Sequence, residues 1–446
     1  MSTWVILLRE MMRAIGFPLR MLAHLAVRTR WRTRMRVALE EPPSGETHDH
    51  LAVFLAKHSP RKKEHPHLFV SAGEASGETH AAKLMEAVRA AGLVPRWSCF
   101  GGEEMTSQGG ELLWPLSENP IMGVAGALSA LPWLLRAERR FEQLLREDPP
   151  DLCVLIDYPG LHMVMARACR RAGVPVIHYI APQYWAWAPW RVHRYRRCID
   201  ATLTILPFES NWFNGVGIPA DYVGHPMLDQ FADHRLDEAK LEQVRSRPTL
   251  CLMPGSRRKE IQRTLPGMVR VARKLQAAHP ELRTVVAHRD EKCSDLIRAV
   301  LTREDANFVE FEPGSISEWL AGSRLVLVKS GTGSLEVSLH GTPSVVIYKT
   351  GGALWQIVRT GWLDAPWFAL TNLVMGRKVV PEFCFCTDRS WSKVASAAEQ
   401  LWRDGLERES CLEGLRELPA KLGEPGASSR AARWITAYFT GEDLPA

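Results

Sequence analysis

The stretch from Leu325 to Lys349, LVLVKSGTGSLEVSLHGTPSVVIYK, narrows most sharply what this chain can fold into. Its opening run, Leu325 to Val328, is short and apolar, like a strand covered on both faces of a parallel sheet. Ser330-Gly331-Thr332-Gly333-Ser334 follows directly, and the glycines allow a tight turn whose N–H groups can approach a ligand. Thr332 or Ser334 can cap a helix beginning near Leu335. Gly341-Thr342-Pro343 ends that helix, and Ser344 to Tyr348 reads as the next strand. The turn offers free N–H donors at a positive helix end, a seat for a diphosphate. Glu336, in the first helical turn, can accept hydrogen bonds from a ribose. The turn is neither a Walker loop nor a GxGxxG, so taken alone it reads as an ordinary βα loop.

The same period recurs along the chain. Leu68 to Val70 opens a strand, and Ser71-Ala72-Gly73-Glu74-Ala75-Ser76-Gly77-Glu78 makes a second glycine-bearing turn into a helix at Ala81 to Ala91. Further strands are expected at Trp97 to Phe100, Leu152 to Ile156, Val174 to Tyr179 and Ala201 to Leu206. A second series begins at Thr249 to Met253, leads into Pro254-Gly255-Ser256-Arg257, and continues at Arg283 to Ala287. Alternating strands and helices imply parallel sheets with right-handed crossovers. The reading is α/β: two Rossmann-like parallel-sheet domains with a cleft between their strand ends, suited to a nucleotide and a second substrate. Asp157 follows a parallel strand at its carboxyl end, where such sheets place their chemistry.

The domains are read as residues 67–229 and 248–387, followed by C-terminal helices at 388–446. Residues 1–66 form a basic extension and linker. Eight Arg and two Glu fall within residues 1–40, a net +6 equal to that of the whole chain. The body is therefore formally neutral, which argues against nucleic acid as a partner. The extension reads either as a basic amphipathic helix on an anionic membrane or as a disordered start. Its apolar runs are too short to span a bilayer. The nine Cys are scattered without a CxxC pair, which fits a reduced compartment and argues against a zinc site. Asn119 to Leu135 is strongly apolar, with Ile121, Met122, Val124, Leu128 and Trp133 followed by Arg136, Arg139 and Arg140. It is either a core helix or a membrane-dipping patch rimmed by arginine.

Taken together, the turns resemble the lipid-A-disaccharide synthase family. The matching stretches are Ser71 to Glu78, Ile156-Asp157-Tyr158-Pro159, His178-Tyr179 with Pro182 to Trp187, Leu206-Pro207-Phe208-Glu209, Val223-Gly224-His225-Pro226, Met253 to Arg257, Ser330 to Glu336 and Thr371-Asn372-Leu373, in the family's order. Each is weak alone; the ordered set is specific.

The resemblance implies a GT-B glycosyltransferase. It would join UDP-2,3-diacylglucosamine to 2,3-diacylglucosamine 1-phosphate (lipid X) with inversion and without a metal or redox cofactor. It would be peripheral on the inner face of the inner membrane. Inversion needs one general base; the resemblance assigns it to Asp157, with Glu74 as the alternative base or an acceptor ligand. Departure of UDP needs positive charge and N–H donors, implied at Ser256, Arg257 and Gly331 to Ser334. Glu336 would hold the ribose, and Asn372 would make a polar contact. His225 is a substrate contact or a buried turn residue; Trp185 faces acyl chains or the core. Glu78 stands where the family usually has Asp, and Gly160 where it has a second acidic residue. Phe383-Cys384-Phe385 and Ala125-Gly126-Ala127 also depart from the pattern. Competing readings are another UDP-sugar GT-B transferase acting on a lipid-linked acceptor, a UDP-sugar epimerase, and a non-catalytic UDP-sugar binder.

Overall fold

A computed structural model describes residues 16–41, 50–59, 63, 65–117, 130–289, 291–302, 305, 307–314, 316–352 and 363–441. The chain forms two compact units, one of Met1–Gln230 with Glu424–Ala446, the other of Phe231–Gly423.

The first unit is built on a seven-stranded sheet in the order β3-β2-β1-β4-β5-β6-β7. Its strands are β1 His67–Ala72, β2 Arg96–Phe100, β3 Gly110–Trp114, β4 Leu152–Ile156, β5 Val176–Tyr179, β6 Ala201–Thr204 and β7 Ala220–Tyr222. Every pairing is parallel. The chain runs outward from β1 to β3, then returns to lay β4 against the other side of β1, with Ala72 opposite Ile156. The order therefore reverses between β1 and β4, and ligands of open α/β sheets bind at such reversals.

Both faces of this sheet are covered, so β1 and β4 are buried at every position, β4 apolar throughout and β1 apolar but for His67 and Ser71. On one face Leu68, Val70, Leu152 and Val154 pack with Ala81, Leu84 and Met85 of the helix Ala75–Ala90 and with Trp434 and Tyr438 of the C-terminal helix Ala427–Thr440. On the other, Phe69 meets Phe141 and Phe100 with ring centroids 4.7 and 5.2 Å apart.

The second unit carries a six-stranded sheet in the order β10-β9-β8-β11-β12-β13. These strands are β8 Thr249–Met253, β9 Arg283–His288, β10 Val309–Pro313, β11 Leu325–Lys329, β12 Ser344–Lys349 and β13 Glu382–Phe385. They too pair only in parallel, and the reversal falls between β8 and β11, where Met253 lies opposite Val328.

Two segments differ from their expected place. The C-terminal helices do not form one group: Trp391–Trp402 and Leu406–Leu422 belong to the second unit, while Ala427–Thr440 returns to the first. At the other end, Phe17–Glu40 is a helix of the first unit and not a loose start. Its covered positions include Phe17, Met21, His24, Arg28, Trp31, Met35 and Ala38, alternating four and three residues apart, with Arg34 and Leu39 half-buried beside them. That spacing keeps one face toward a partner. Trp31 lies 6.1 Å from Trp212, and His24 lies 5.1 Å from Trp190. Because the covered face includes His24 and Arg28 while Leu19 and Leu22 stay exposed, the helix is not amphipathic in the expected sense.

Candidate active site

In the first unit the turns after β1 and β4 leave neighbouring strands at the reversal. Glu74 precedes the helix Ala75–Ala90 as its N-cap, half-buried, with extended backbone. Asp157 leaves the end of β4, and its backbone turns left-handed at once, with φ 50°, followed by Tyr158 at 45°. Gly73 makes room for that turn: a Cβ there would stand 2.1 Å from Cγ of Tyr158. Solvent reaches Asp157, which is exposed, yet protein crowds the carboxylate on its other sides. This crowding, then the negative charge of Glu74, raises the Asp157 pKa to about 6. A carboxyl group tuned toward neutrality is suited to take a proton from a hydroxyl.

The surrounding motif residues hold the frame. Glu78 is buried; it accepts a hydrogen bond from the N–H of Glu104 at 2.8 Å and another from Ser117 Oγ. Trp185 is buried, and its Nε1–H donates to Glu209 Oε1 at 2.9 Å. Glu209 Oε2 accepts from the N–H groups of Ile205 and Leu206, closing the start of the helix Pro207–Asn214. Full burial lifts the Glu209 pKa to about 7. Trp185 is thus placed in the core of the unit, and Trp187 is the exposed ring of that loop, beneath Phe17 and Arg191. His225 is buried, and its Nδ1 accepts from the N–H of Met227 at 3.2 Å, a turn-closing bond.

In the second unit, Gly255 follows β8 with φ 110°, and a Cβ there would stand 2.6 Å from Glu260 Oε2. Glycine is needed on both counts. The turn presents Ser256 and Arg257, both exposed, before the helix Arg258–Ala278. Glu260 gathers two cations, Lys329 at 2.8 Å and Arg257 at 3.6 Å. His288 Nε2 lies 3.1 Å from the Gly255 carbonyl, which accepts its N–H.

After β11 the helix begins at Thr332, earlier than expected, with Gly331 as N-cap and no side-chain cap. Neither Thr332 nor Ser334 caps it: Ser334 Oγ instead donates to the Gly331 carbonyl at 2.7 Å. Gly331 and Thr332 are exposed and Ser334 is buried, with Gly333 between. The uncapped start leaves N–H donors for an anion. Glu336 lies one turn further along than expected and forms an ion pair with Arg289. Burial raises its pKa, and Arg289 opposes that shift.

Asn372 differs most from its expected role. It is fully buried, and its Oδ1 accepts from the N–H groups of Val379 and Val380 at 2.8 and 2.9 Å. Its Nδ2 donates to the Val380 carbonyl and to Glu382 Oε2. The amide has no capacity left for a ligand. Sequence reasoning gave no role to Arg289, Lys329, His162, His178 or Glu382. The first two stand at or just after strand ends, a signal that could have found them.

Of the apolar segment, Ile121, Met122, Val124 and Leu128 lie outside the described residues. Trp133, in the helix Leu131–Glu147, is half-buried against Trp114 with centroids 5.5 Å apart. Among the described residues no helix is long and apolar enough to cross a membrane.

Comparison with known proteins adds to this geometry. A family model, Lipid-A-disaccharide synthetase, matches residues 68–410. The lipid-A-disaccharide synthase of Myxococcus xanthus is 35% identical over 373 residues, 83% of this chain and 97% of that protein. Among solved structures, the S. aureus MnaA–UDP complex aligns with TM-score 0.59 at 15% identity, covering 85% of this chain and 99% of that one. A kitacinnamycin glycotransferase aligns with TM-score 0.58 at 15% identity, covering 84% and 100%. These two likenesses carry the fold, which is GT-B.

Proposed function

Because this chain belongs to the lipid-A-disaccharide synthase family, and is thus a glycosyltransferase of lipid A biosynthesis, we propose that it transfers diacylglucosamine from UDP-2,3-diacylglucosamine to lipid X. Asp157 takes the proton from the acceptor's primary hydroxyl as that oxygen attacks the anomeric carbon from the face opposite UDP. The new glycosidic bond forms as the bond to the diphosphate breaks, inverting the centre. Glu74 keeps the Asp157 carboxylate basic. UDP departs onto the Gly331–Ser334 helix start with Ser256 and Arg257, and Glu336 holds the ribose once Arg289 releases it. In this division of labour residues 67–229 serve the acceptor and residues 248–387 the UDP-sugar.

One observation carries this reading. In each sheet, the residues with suitable chemistry leave the two strands that flank the reversal of strand order. The base candidate stands on one sheet and the anion-binding turns on the other.

The protein works, on this reading, at the inner face of the inner membrane. Support comes from the helix Phe17–Glu40, which exposes Leu19 and Leu22 alongside Arg20, Arg30, Arg32 and Arg36. Apolar side chains rimmed by arginine fit an anionic lipid surface.

The test measures UDP release from UDP-2,3-diacylglucosamine with and without lipid X. Release only when both are present, with a β-linked disaccharide 1-phosphate as product, is expected. Release from the donor alone, or turnover to an isomer, would replace the transferase reading with a hydrolase or an epimerase.

A further inference from the structure

Asp157 and Tyr158 are consecutive non-glycine residues in the left-handed region, at φ 50° and 45°. For L-residues that conformation costs roughly 1–2 kcal/mol each, so two in series persist only where the surroundings hold them. The Asp157 carbonyl shows what holds them. It accepts His162 Nδ1–H at 2.8 Å and His178 Nε2–H at 3.0 Å. One imidazole comes from the helix Pro159–Ala172 that follows, the other from β5 alongside, and both are fully buried.

The hydrogen-bond partners settle the tautomers. A carbonyl only accepts, so His162 carries its proton on Nδ1 and His178 on Nε2. His162 Nε2 is then a lone pair, and Ser71 Oγ, 2.8 Å away at the end of β1, donates to it. His178 Nδ1 is buried without a hydrogen-bond partner among the described residues, as suits a bare lone pair better than an orphaned N–H. Burial holds both rings neutral, with pKa values near 3 for His162 and 4 for His178. They therefore stay single-proton donors over the whole working range of pH.

We propose that His162 and His178 are positioning residues of the transfer reaction: their neutral imidazoles clamp the Asp157 carbonyl, keep the 157–158 pair left-handed and so aim the Asp157 carboxylate, while the Ser71 hydroxyl selects the His162 tautomer. The proposal rests on Asp157 being the base. The clamp grips the backbone and leaves the carboxylate unbonded to it, so it sets direction without consuming the reactive oxygens.

Steady-state kinetics on the full chain test it, using UDP-2,3-diacylglucosamine and lipid X. His178→Leu removes one donor; His178→Gln keeps an N–H near the Nε2 position. Ser71→Ala frees His162 to move its proton to Nε2, turning a lone pair toward the carbonyl. Misaiming a reacting group by about 1 Å can cost on the order of 100-fold, so kcat of His178→Leu should fall by about that factor while KM for the UDP-sugar stays within about twofold. His178→Gln should regain most of the loss, and Ser71→Ala should lower kcat with its melting curve unchanged. Asp157→Asn runs beside them. If it is inactive while His178→Leu and Ser71→Ala keep wild-type kcat, the clamp is overturned and the base assignment stands. Equal loss in His178→Gln and His178→Leu also overturns the clamp, because packing alone would then explain it. Turnover by Asp157→Asn would remove the base assignment and the clamp with it.

Discussion

Asp157 turns on charge as well as aim. Its carboxyl is raised to about 6, first by the protein crowding it and then by Glu74. A base must be ionised to act, so kcat/KM should fall about tenfold per pH unit below that value. Glu74→Gln removes only the second cause. The acid limb should therefore move to lower pH without reaching the ordinary carboxylate range; a pH–rate profile with an unmoved limb would contradict the pairing. Asn372 teaches the opposite lesson at the same scale. A polar residue in a family motif invites a ligand role, but all of its hydrogen-bonding capacity is spent inside the fold, on Val379, Val380 and Glu382. Sequence carries the residue type and its neighbours; it does not carry the partner that arrives from elsewhere in the chain.

Strands show where pattern reading succeeds and where it stops. Among the described residues, the nine interior strands each contain an apolar run visible in the sequence. The four that escaped notice, β3, β7, β10 and β13, are the four edges of the two sheets. An edge strand is covered incompletely, so Gly110–Trp114 and Val309–Pro313 keep exposed polar residues and lose the buried signature. Turns are read better, because glycine is demanded by geometry and not by burial. Gly255→Ala would add a Cβ against Glu260 at a φ of 110°. It should raise the Kd for UDP by about tenfold or more, the order of ~1–2 kcal/mol of backbone strain. Titration calorimetry with UDP checks this, and an unchanged Kd would separate the Gly255 turn from the diphosphate site.

The chain leaves the first unit, builds the second and comes back. Asp229 receives the returning chain, accepting from the N–H groups of Gly426 at 2.6 Å, Ala427 at 3.1 Å and Ser428 at 3.3 Å. The helix that follows places Trp434, Tyr438 and Phe439 in the core beside Phe54. Large aromatic truncations in a core cost about 3–5 kcal/mol each, against a total stability of roughly 5–15 kcal/mol. Deleting residues 424–446 should therefore abolish cooperative unfolding of the first unit, read by calorimetry. A retained transition at the wild-type temperature would show that the returning helix is dispensable. All of this helix lies beyond the matched stretch 68–410, as do the helices Phe17–Glu40 and His50–His58.

Local order was sufficient for much of this protein. Short apolar runs followed by glycine turns dictate parallel strands, and their repetition dictates the two sheets, because these signals depend on near neighbours and on burial from both faces. The ordered motifs likewise carried the family. Contacts between residues far apart in sequence belong to the tertiary structure. Among them are the two imidazoles on the Asp157 carbonyl, the ion pair between Arg289 and Glu336, the return of Ala427–Thr440 to the first core, and the docking of an arginine-rich helix through Trp31. A hydrogen bond or a packed ring needs a partner at a few ångströms, and folding brings that partner from positions no local pattern specifies.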